Sequence, residues 1–147
     1  MVRGAASAVL ILVSALAAAQ AASKYRHIAL DTPLEVSVPP DAPAAVKEFH
    51  ATGKNPYNGN PQALEQGKKL YDEWCAQCHS PQGTGGMGPS LVAEQHTYPR
   101  TATDVGLFEA VYGGALGAMQ PFKDRLSQDE ILKVVAYINA LREKKPS

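Results

Sequence analysis

The 147-residue sequence lacks an excess of charge of either sign and lacks an apolar run long enough to cross a membrane. Fourteen lysines and arginines balance fourteen aspartates and glutamates, and no basic stripe is interleaved with aromatic residues. This composition argues against nucleic-acid binding. The longest mainly apolar run covers residues 8–19, which is shorter than the roughly 20 residues of a spanning helix. The length, with no internal repeat, favours one domain.

The N-terminal residues have the pattern of a secretory signal peptide. Arg3 precedes the apolar run, and residues 19–21 form an A-Q-A cleavage site. We therefore predict that residues 1–21 are a signal peptide, that the mature protein has no membrane span and that it is exported to the periplasm. A retained N-terminal anchor is the alternative interpretation of the same run.

Cysteine is scarce as well, because Cys75 and Cys78 are the only two and both lie in C-A-Q-C-H, directly before His79. An oxidising compartment favours a disulfide, but these helical positions have poor geometry for one. A thioredoxin-like redox pair would follow a strand of a βαβ unit, and a zinc site would need four ligands at paired spacings. Neither pattern is visible. C-x-x-C-H is instead the attachment signal for c-type haem.

The spacing of the motif explains how it would hold haem. Helical positions i, i+3 and i+4 share one face, so both cysteines can form thioethers to the porphyrin while His79 binds the iron from the same side. We predict Met119 as the second axial ligand, because it lies in a Gly-rich loop that can run close to the ring. Met87 and His96 are the alternatives, and plain packing is the usual role of a single methionine.

Composition divides the mature chain into an arm at residues 22–61 and a haem domain at residues 62–147. The arm is rich in proline, and apolar residues alternate with polar ones over residues 34–38, which suits a short extended segment. A short helix is predicted after it, with Asp41 as its N-cap and Gly53 as its end.

The haem domain is predicted to be all-α, with three main helices. One apolar face marks the first helix, formed by Leu64, Gly67, Tyr71 and Trp74. Thr103 caps a middle helix that ends at Gly113, and Ser127 with Glu130 forms the capping box of the last one. More than twenty residues without an obvious element separate the first and middle helices. Since large apolar side chains are too few to fill the centre, haem would supply the missing core.

The order of motifs resembles that of class I cytochromes c. The matching segments are C-x-x-C-H, G-P-x-L at 88–91, A-M-Q-P-F at 118–122 and V-A-Y-I at 135–138. The resemblance implies that the first and last helices cross around a covalently bound haem, with Gly67 and Tyr71 against Tyr137. It also implies that the Pro89 carbonyl accepts the ring N–H of His79, a contact that would orient the ligand.

A more specific resemblance, to cytochrome c-L, extends over about residues 47–141. Its most particular segment is T-Y-P-R-T-A-T-D-V-G-L-F-E at 97–109. The resemblance implies a periplasmic electron carrier, with no catalytic residues, that accepts electrons from a PQQ-dependent methanol or alcohol dehydrogenase of methylotrophic bacteria. It would pass them to another c-type cytochrome or a terminal oxidase.

Further residues are candidates for contacts around the haem. We predict that Tyr98 and Arg100 bind the haem propionates, because arginine suits carboxylate recognition, although Arg100 could be an ordinary surface arginine. Apolar residues of the ligand loop could either rim an exposed haem edge as a docking patch or line the pocket. These residues are Ala115, Leu116, Ala118 and Phe122.

Two other functions fit the haem motif. The first is a generic respiratory shuttle with a different donor, which the 97–109 segment disfavours. The second is a haem peroxidase or sensor with an open sixth position, which would require that Met119 does not bind the iron.

Overall fold

A computed structural model describes residues 24–144, so the predicted signal peptide at 1–21 lies outside the described part of the chain. Five α-helices occur there: α1 (Ala44–Thr52), α2 (Pro61–Trp74), α3 (Ala76–His79), α4 (Asp104–Gly113) and α5 (Gln128–Glu143). Two short antiparallel strands, β1 (Tyr25–Arg26) and β2 (Pro33–Leu34), and a 3-10 turn (Pro99–Ala102) complete the described elements. The all-α prediction is confirmed. Within residues 24–144, no helix combines the length and apolarity that a membrane crossing requires.

Side-chain caps begin three of the helices, and two of these caps, Thr103 and Ser127, were predicted from the sequence. The Asn60 side chain accepts a hydrogen bond from the Ala63 backbone N–H at 3.0 Å, directly before Pro61 opens α2. Thr103 caps α4. The capping box at the start of α5 is complete, since Ser127 and Glu130 each accept from the other's backbone.

Two predicted helix ends were wrong by one or two residues. The residue before α1 is Pro43 and not Asp41, and no side chain caps this helix. Gly53 does end α1, in the left-handed conformation at φ 74°. The middle helix includes Gly113 and stops at Gly114, because Gly114 is the glycine with positive φ, 76°.

The first and last helices of the haem domain cross at Gly67, as the family resemblance implied. A β-carbon on Gly67 would lie 2.7 Å from the carbonyl carbon of Lys133 and 3.2 Å from Cβ of Tyr137. The Tyr71 and Tyr137 rings pack beside this contact, with centroids 5.3 Å apart. Glycine therefore lets the two backbones touch, at the expense of about 1 kcal/mol of helix propensity.

The arm packs onto the haem domain instead of extending from it. Tyr25 and Phe49 are buried in the same core cluster as Phe108 of α4. The Phe49 and Phe108 ring centroids are 5.0 Å apart, and those of Tyr25 and Phe108 are 5.6 Å apart. The backbone N–H of Arg26 donates to the carboxylate of Glu109 at 2.9 Å, which joins β1 to α4.

We expect Gly67→Ala to destabilise the protein by about 1–3 kcal/mol, because the added methyl group forces α2 away from the Lys133 backbone. Helix propensity alone predicts the opposite sign. Guanidinium unfolding of the holoprotein measures the difference. Lys69→Ala, at an exposed position of the same helix, is the control and should change stability little. An unchanged or raised stability of the Gly67 variant would contradict close backbone packing at this crossing.

Candidate functional site

The C-A-Q-C-H motif forms a single helical turn directly after α2. The backbone N–H of Cys75 still donates to Tyr71 of α2 at 2.8 Å, while those of Cys78 and His79 donate to the Cys75 carbonyl at 3.1 and 3.0 Å. The hydroxyl of Tyr71 donates to the Ser80 carbonyl at 2.8 Å and so links α2 to the residue that follows the turn. Both sulfurs and the imidazole are thus presented by one compact piece of backbone.

The His79 ring is held in one orientation by the backbone that follows. Its Nδ1 donates to the Pro89 carbonyl oxygen at 2.8 Å, and the residue is only 8% exposed. Because a carbonyl can only accept, Nδ1 carries the proton and the free lone pair of the neutral ring is on Nε2. Such a bond fixes the tautomer of a metal-binding histidine and raises its basicity.

The loop after α3 folds back and packs closely against the C-A-Q-C-H turn. The backbone N–H of Gly88 donates to the Cys78 carbonyl at 2.9 Å, and that of Gly85 donates to the His79 carbonyl at 2.9 Å. A β-carbon on Gly88 would lie 2.7 Å from Cε1 and 2.9 Å from Nδ1 of His79. Glycine at position 88 therefore allows the backbone to lie against the imidazole ring.

A cavity of about 490 Å³ opens beside this turn and brings most of the predicted site residues together. Six of the seven line it: Cys75, Cys78, His79, Pro89, Tyr98 and Met119. Apolar side chains of α4 and α5, among them Leu107, Val111 and Ile138, form much of the remaining wall. The four loop residues Ala115, Leu116, Ala118 and Phe122 also line the cavity.

Exposure separates the two candidate methionine ligands. Met119 is partly buried and packs against the core cluster, whereas Met87 is 77% exposed, although both contribute to the cavity lining. The Met119 loop is held by a hydrogen bond from the Ala115 N–H to the Met119 carbonyl at 3.1 Å. Gly114, with its positive φ, starts this loop.

Arg100 is the predicted site residue that the structure does not bring into the lining. Its Nε and Nη2 donate to both carboxylate oxygens of Glu109, at 3.0 and 2.6 Å, and Glu109 is fully buried. Sequence reasoning missed this acceptor, because a glutamate inside an apolar helix gives no local sign of its partner. It also missed Arg142 of α5, which lines the cavity and resembles an ordinary C-terminal helix cation in the sequence.

The two cysteines are unsuited to thiol redox chemistry in this setting. No disulfide joins Cys75 to Cys78, and before any thioether forms burial raises the pKa of the Cys75 thiol to about 12, with a smaller contribution from Cys78. A thiol with such a pKa is neutral at physiological pH, and the reactive form in disulfide exchange is the thiolate. The arrangement therefore disfavours a thiol–disulfide module.

The residues present fit haem c on three counts. The volume lies within the range of about 300–1,000 Å³ that cofactor pockets occupy, and the wall is mainly apolar. The imidazole offers Nε2 as a ligand atom. Two cysteines at the i and i+3 positions of one turn match the attachment of two porphyrin side groups.

Fold and site together define a class I c-type cytochrome. A family model described as "Cytochrome C oxidase, cbb3-type, subunit III" matches residues 62–138. This range contains the C-A-Q-C-H turn, the Met119 loop and the α2–α5 crossing.

Within that class, the chain belongs to the cytochrome c-L family. It is 35% identical to crystalline cytochrome c-L of the methylotroph Methylophaga aminisulfidivorans, with a TM-score of 0.75 over 79% of this chain and 78% of that one. For the Hyphomicrobium denitrificans protein the values are 38% identity and a TM-score of 0.73, over 78% and 71% of the two chains. Cytochrome c-L of Methylorubrum extorquens is 42% identical over 101 residues, which are 69% of this chain and 51% of that protein.

A further relative is a much longer protein. Quinohemoprotein alcohol dehydrogenase ADH IIB of Pseudomonas putida is 31% identical over 120 residues, which are 79% of this chain and 16% of that protein. The chain thus spans about half the length of the Methylorubrum cytochrome and a small part of the dehydrogenase. These relationships make the protein a c-type cytochrome with covalently bound haem c.

We expect Gly88→Ala to push the His79 ring away from the Pro89 carbonyl, since the new methyl group would overlap Cε1 and Nδ1. The holoprotein should lose about 1–3 kcal/mol of stability. Its Nδ1–H should exchange faster with solvent, which proton NMR measures. Gly86→Ala is the matched control in the same loop, because its β-carbon meets only the Cys78 carbonyl oxygen, at 3.2 Å. Equal behaviour of the two variants would show that the ring tolerates a side chain at position 88.

Proposed function

We propose that the protein is a periplasmic one-electron carrier that accepts electrons from a PQQ-dependent methanol or alcohol dehydrogenase and passes them to another c-type cytochrome or a terminal oxidase. Haem c, when bound, supplies a reversible Fe(III)/Fe(II) couple. The observation that carries the proposal is a single cavity lined by the attachment turn and the Met119 loop, with an exposed apolar edge. No acid, base or nucleophile is required for this function.

Membership of the cytochrome c-L family supports the choice of donor. The two crystalline relatives are cytochromes c-L, one of them from a methylotrophic bacterium by its description. The match to part of a quinohemoprotein alcohol dehydrogenase adds that a similar segment occurs within one polypeptide with a dehydrogenase of this class. The predicted signal peptide at residues 1–21 supports the periplasm as the proposed compartment.

His79 and Met119 are the residues that we propose as axial ligands. Nε2 of His79 has the free lone pair, and the Met119 loop is ordered by its own backbone hydrogen bond next to the core. A histidine–methionine pair fills both axial positions and favours electron transfer over the binding of small molecules. An open sixth position would instead favour the haem enzyme or sensor.

We expect Met119→Leu to abolish the methionine–iron charge-transfer band of the ferric protein and to let the reduced protein bind CO, because leucine has no ligand atom. Met87→Leu removes the same side chain from the exposed competing position and should leave the spectrum unchanged. Absorbance spectra with and without CO measure both effects. The opposite pattern would assign the axial position to Met87, and CO binding by the wild-type protein would favour the sensor.

The apolar edge of the cavity is suited to brief docking of a partner. Leu116 is 61% exposed and Ala118 is also exposed, and both line the cavity mouth with Met87 and Trp74. The Trp74 ring stands edge-on to Phe122, at a centroid distance of 6.1 Å. A small apolar patch of this kind fits the weak, transient interfaces of redox partners.

We expect Leu116→Glu to slow reduction of this cytochrome by its alcohol-reduced, PQQ-containing dehydrogenase by roughly tenfold, since a charge would enter the docking patch. Leu30→Glu is the matched control, because Leu30 is similarly exposed at 57% but does not line the cavity. Anaerobic stopped-flow absorbance measures the rates.

The wild-type protein provides the test of the donor itself. Reduction by the dehydrogenase of the same organism should be fast and saturable. A rate no faster than for an unrelated periplasmic cytochrome would contradict the proposed donor and favour a generic respiratory shuttle. Equal slowing by the two leucine substitutions would place the docking patch elsewhere.

A further inference from the structure

We infer that Arg142 is the cation of an anion site in the cavity wall that holds the propionate carboxylates of haem c. This inference depends on haem binding and not on which protein donates the electron. It replaces Arg100, the arginine that sequence reasoning favoured for the same role.

The contacts of Arg142 place its guanidinium in the polar part of the cavity wall. Nε donates to the Leu91 carbonyl at 2.7 Å, and Nη1 donates to the Thr101 carbonyl at 2.9 Å. Both acceptor residues line the cavity, as Arg142 itself does. Nη2 has no acceptor among residues 24–144, so the Nη2 edge of the Arg142 guanidinium is available to a ligand.

The charge of Arg142 has no ion-pair partner in the part of the chain that the structure describes. Asp104 acts on it at a distance, but the Asp104 carboxylate accepts hydrogen bonds from Asn55, Asn58 and Asn139. Arg142 is partly buried, and this burial lowers the pKa of its guanidinium. A partly buried cation in this situation gains most from an anion.

The surrounding side chains match a carboxylate ligand. Thr97 and Tyr98, which carry hydroxyl groups, belong to the same lining, whereas the hydroxyls of Ser90 and Thr101 already donate to the carbonyls of Gly83 and Tyr98. His96 also lines it, and burial, with a smaller effect from the charge of Arg142, lowers the pKa of its ring. Haem brings two carboxylates into a cavity whose remaining wall is mainly apolar, and an arginine fork is the side chain best shaped to pair with one.

Arg142 could instead serve only to tie two loop positions to α5, since its hydrogen bonds reach Leu91 and Thr101. The two roles differ in what they do to the haem. A cation beside the propionates disfavours the extra positive charge of the ferric state and raises the reduction potential. A tie between loops contributes to stability alone.

The test uses holoprotein whose haem carries carbon-13 at the propionate carboxylates. Wild type, Arg142→Gln, Arg142→Lys and Arg125→Gln are compared by midpoint potential and by redox-induced infrared difference spectra. Arg125 is the matched control, because it also lines the cavity but is exposed and lies over the Phe122 ring. Arg142→Gln and Arg125→Gln remove the same charge.

We expect Arg142→Gln to lower the midpoint potential clearly more than Arg125→Gln and to shift the labelled carboxylate bands, which Arg125→Gln leaves in place. Arg142→Lys should keep most of the potential but shift the bands, because one ammonium replaces a two-nitrogen fork. Equal potentials for the two glutamine variants, with unmoved bands and a loss of stability alone, would overturn the inference. If Arg142→Gln does not accumulate as holoprotein, unmoved bands in Arg142→Lys overturn it and shifted bands support it.

Discussion

The site depends on the close packing of α2 against α5 at Gly67. Because the Lys133 backbone occupies the space where a side chain would begin, this contact fixes the separation of the two helices. Each helix contributes residues to the cavity wall from its last turn or from the residues directly after it. The attachment turn begins at Cys75, where α2 ends, and Arg142 lies in the last turn of α5. One backbone contact thereby sets the distance between the thioether positions and the cationic wall.

The haem domain contains a cavity that adjoins its hydrophobic core. Side chains of α4 and α5 are buried where these helices meet each other and the arm. Loops that carry Pro89 and Met119 form another part of the cavity wall, and they are anchored mainly by local backbone hydrogen bonds. A domain of this size buries little apolar surface by itself. Covalent haem c therefore supplies the apolar contacts that these loops cannot provide for one another, and its thioether bonds prevent its loss.

Local chemistry predicted most of the fold and the attachment turn, because its causes lie within a few residues. The capping box of Ser127 and Glu130 is an example, and so is the spacing that puts His79 beside the cysteines. Pairings across the chain were not predictable in this way. The partner of Arg100 depends on which side of α4 faces β1, and α4 is buried along most of its length, so the sequence shows no polar face to decide it. Asp41 failed as a cap because proline, two residues later, sets the backbone before α1.

The packing of the arm explains why Arg100 and Arg142 have different partners. Of its described residues 24–61, none lines the cavity, and its contribution is made through α4. Packing of Tyr25 and Phe49 on Phe108 buries Glu109, and the buried carboxylate then takes both the Arg26 backbone N–H and the Arg100 side chain. Since a buried carboxylate without a cation would be costly, Arg100 is committed to this pair. Among residues 24–144, Arg142 has two carbonyl partners and no carboxylate in an ion pair with it at the cavity wall. The arm thus affects the electrostatics of the haem cavity without lining it. It holds Glu109 where this carboxylate pairs with Arg100 and not with Arg142.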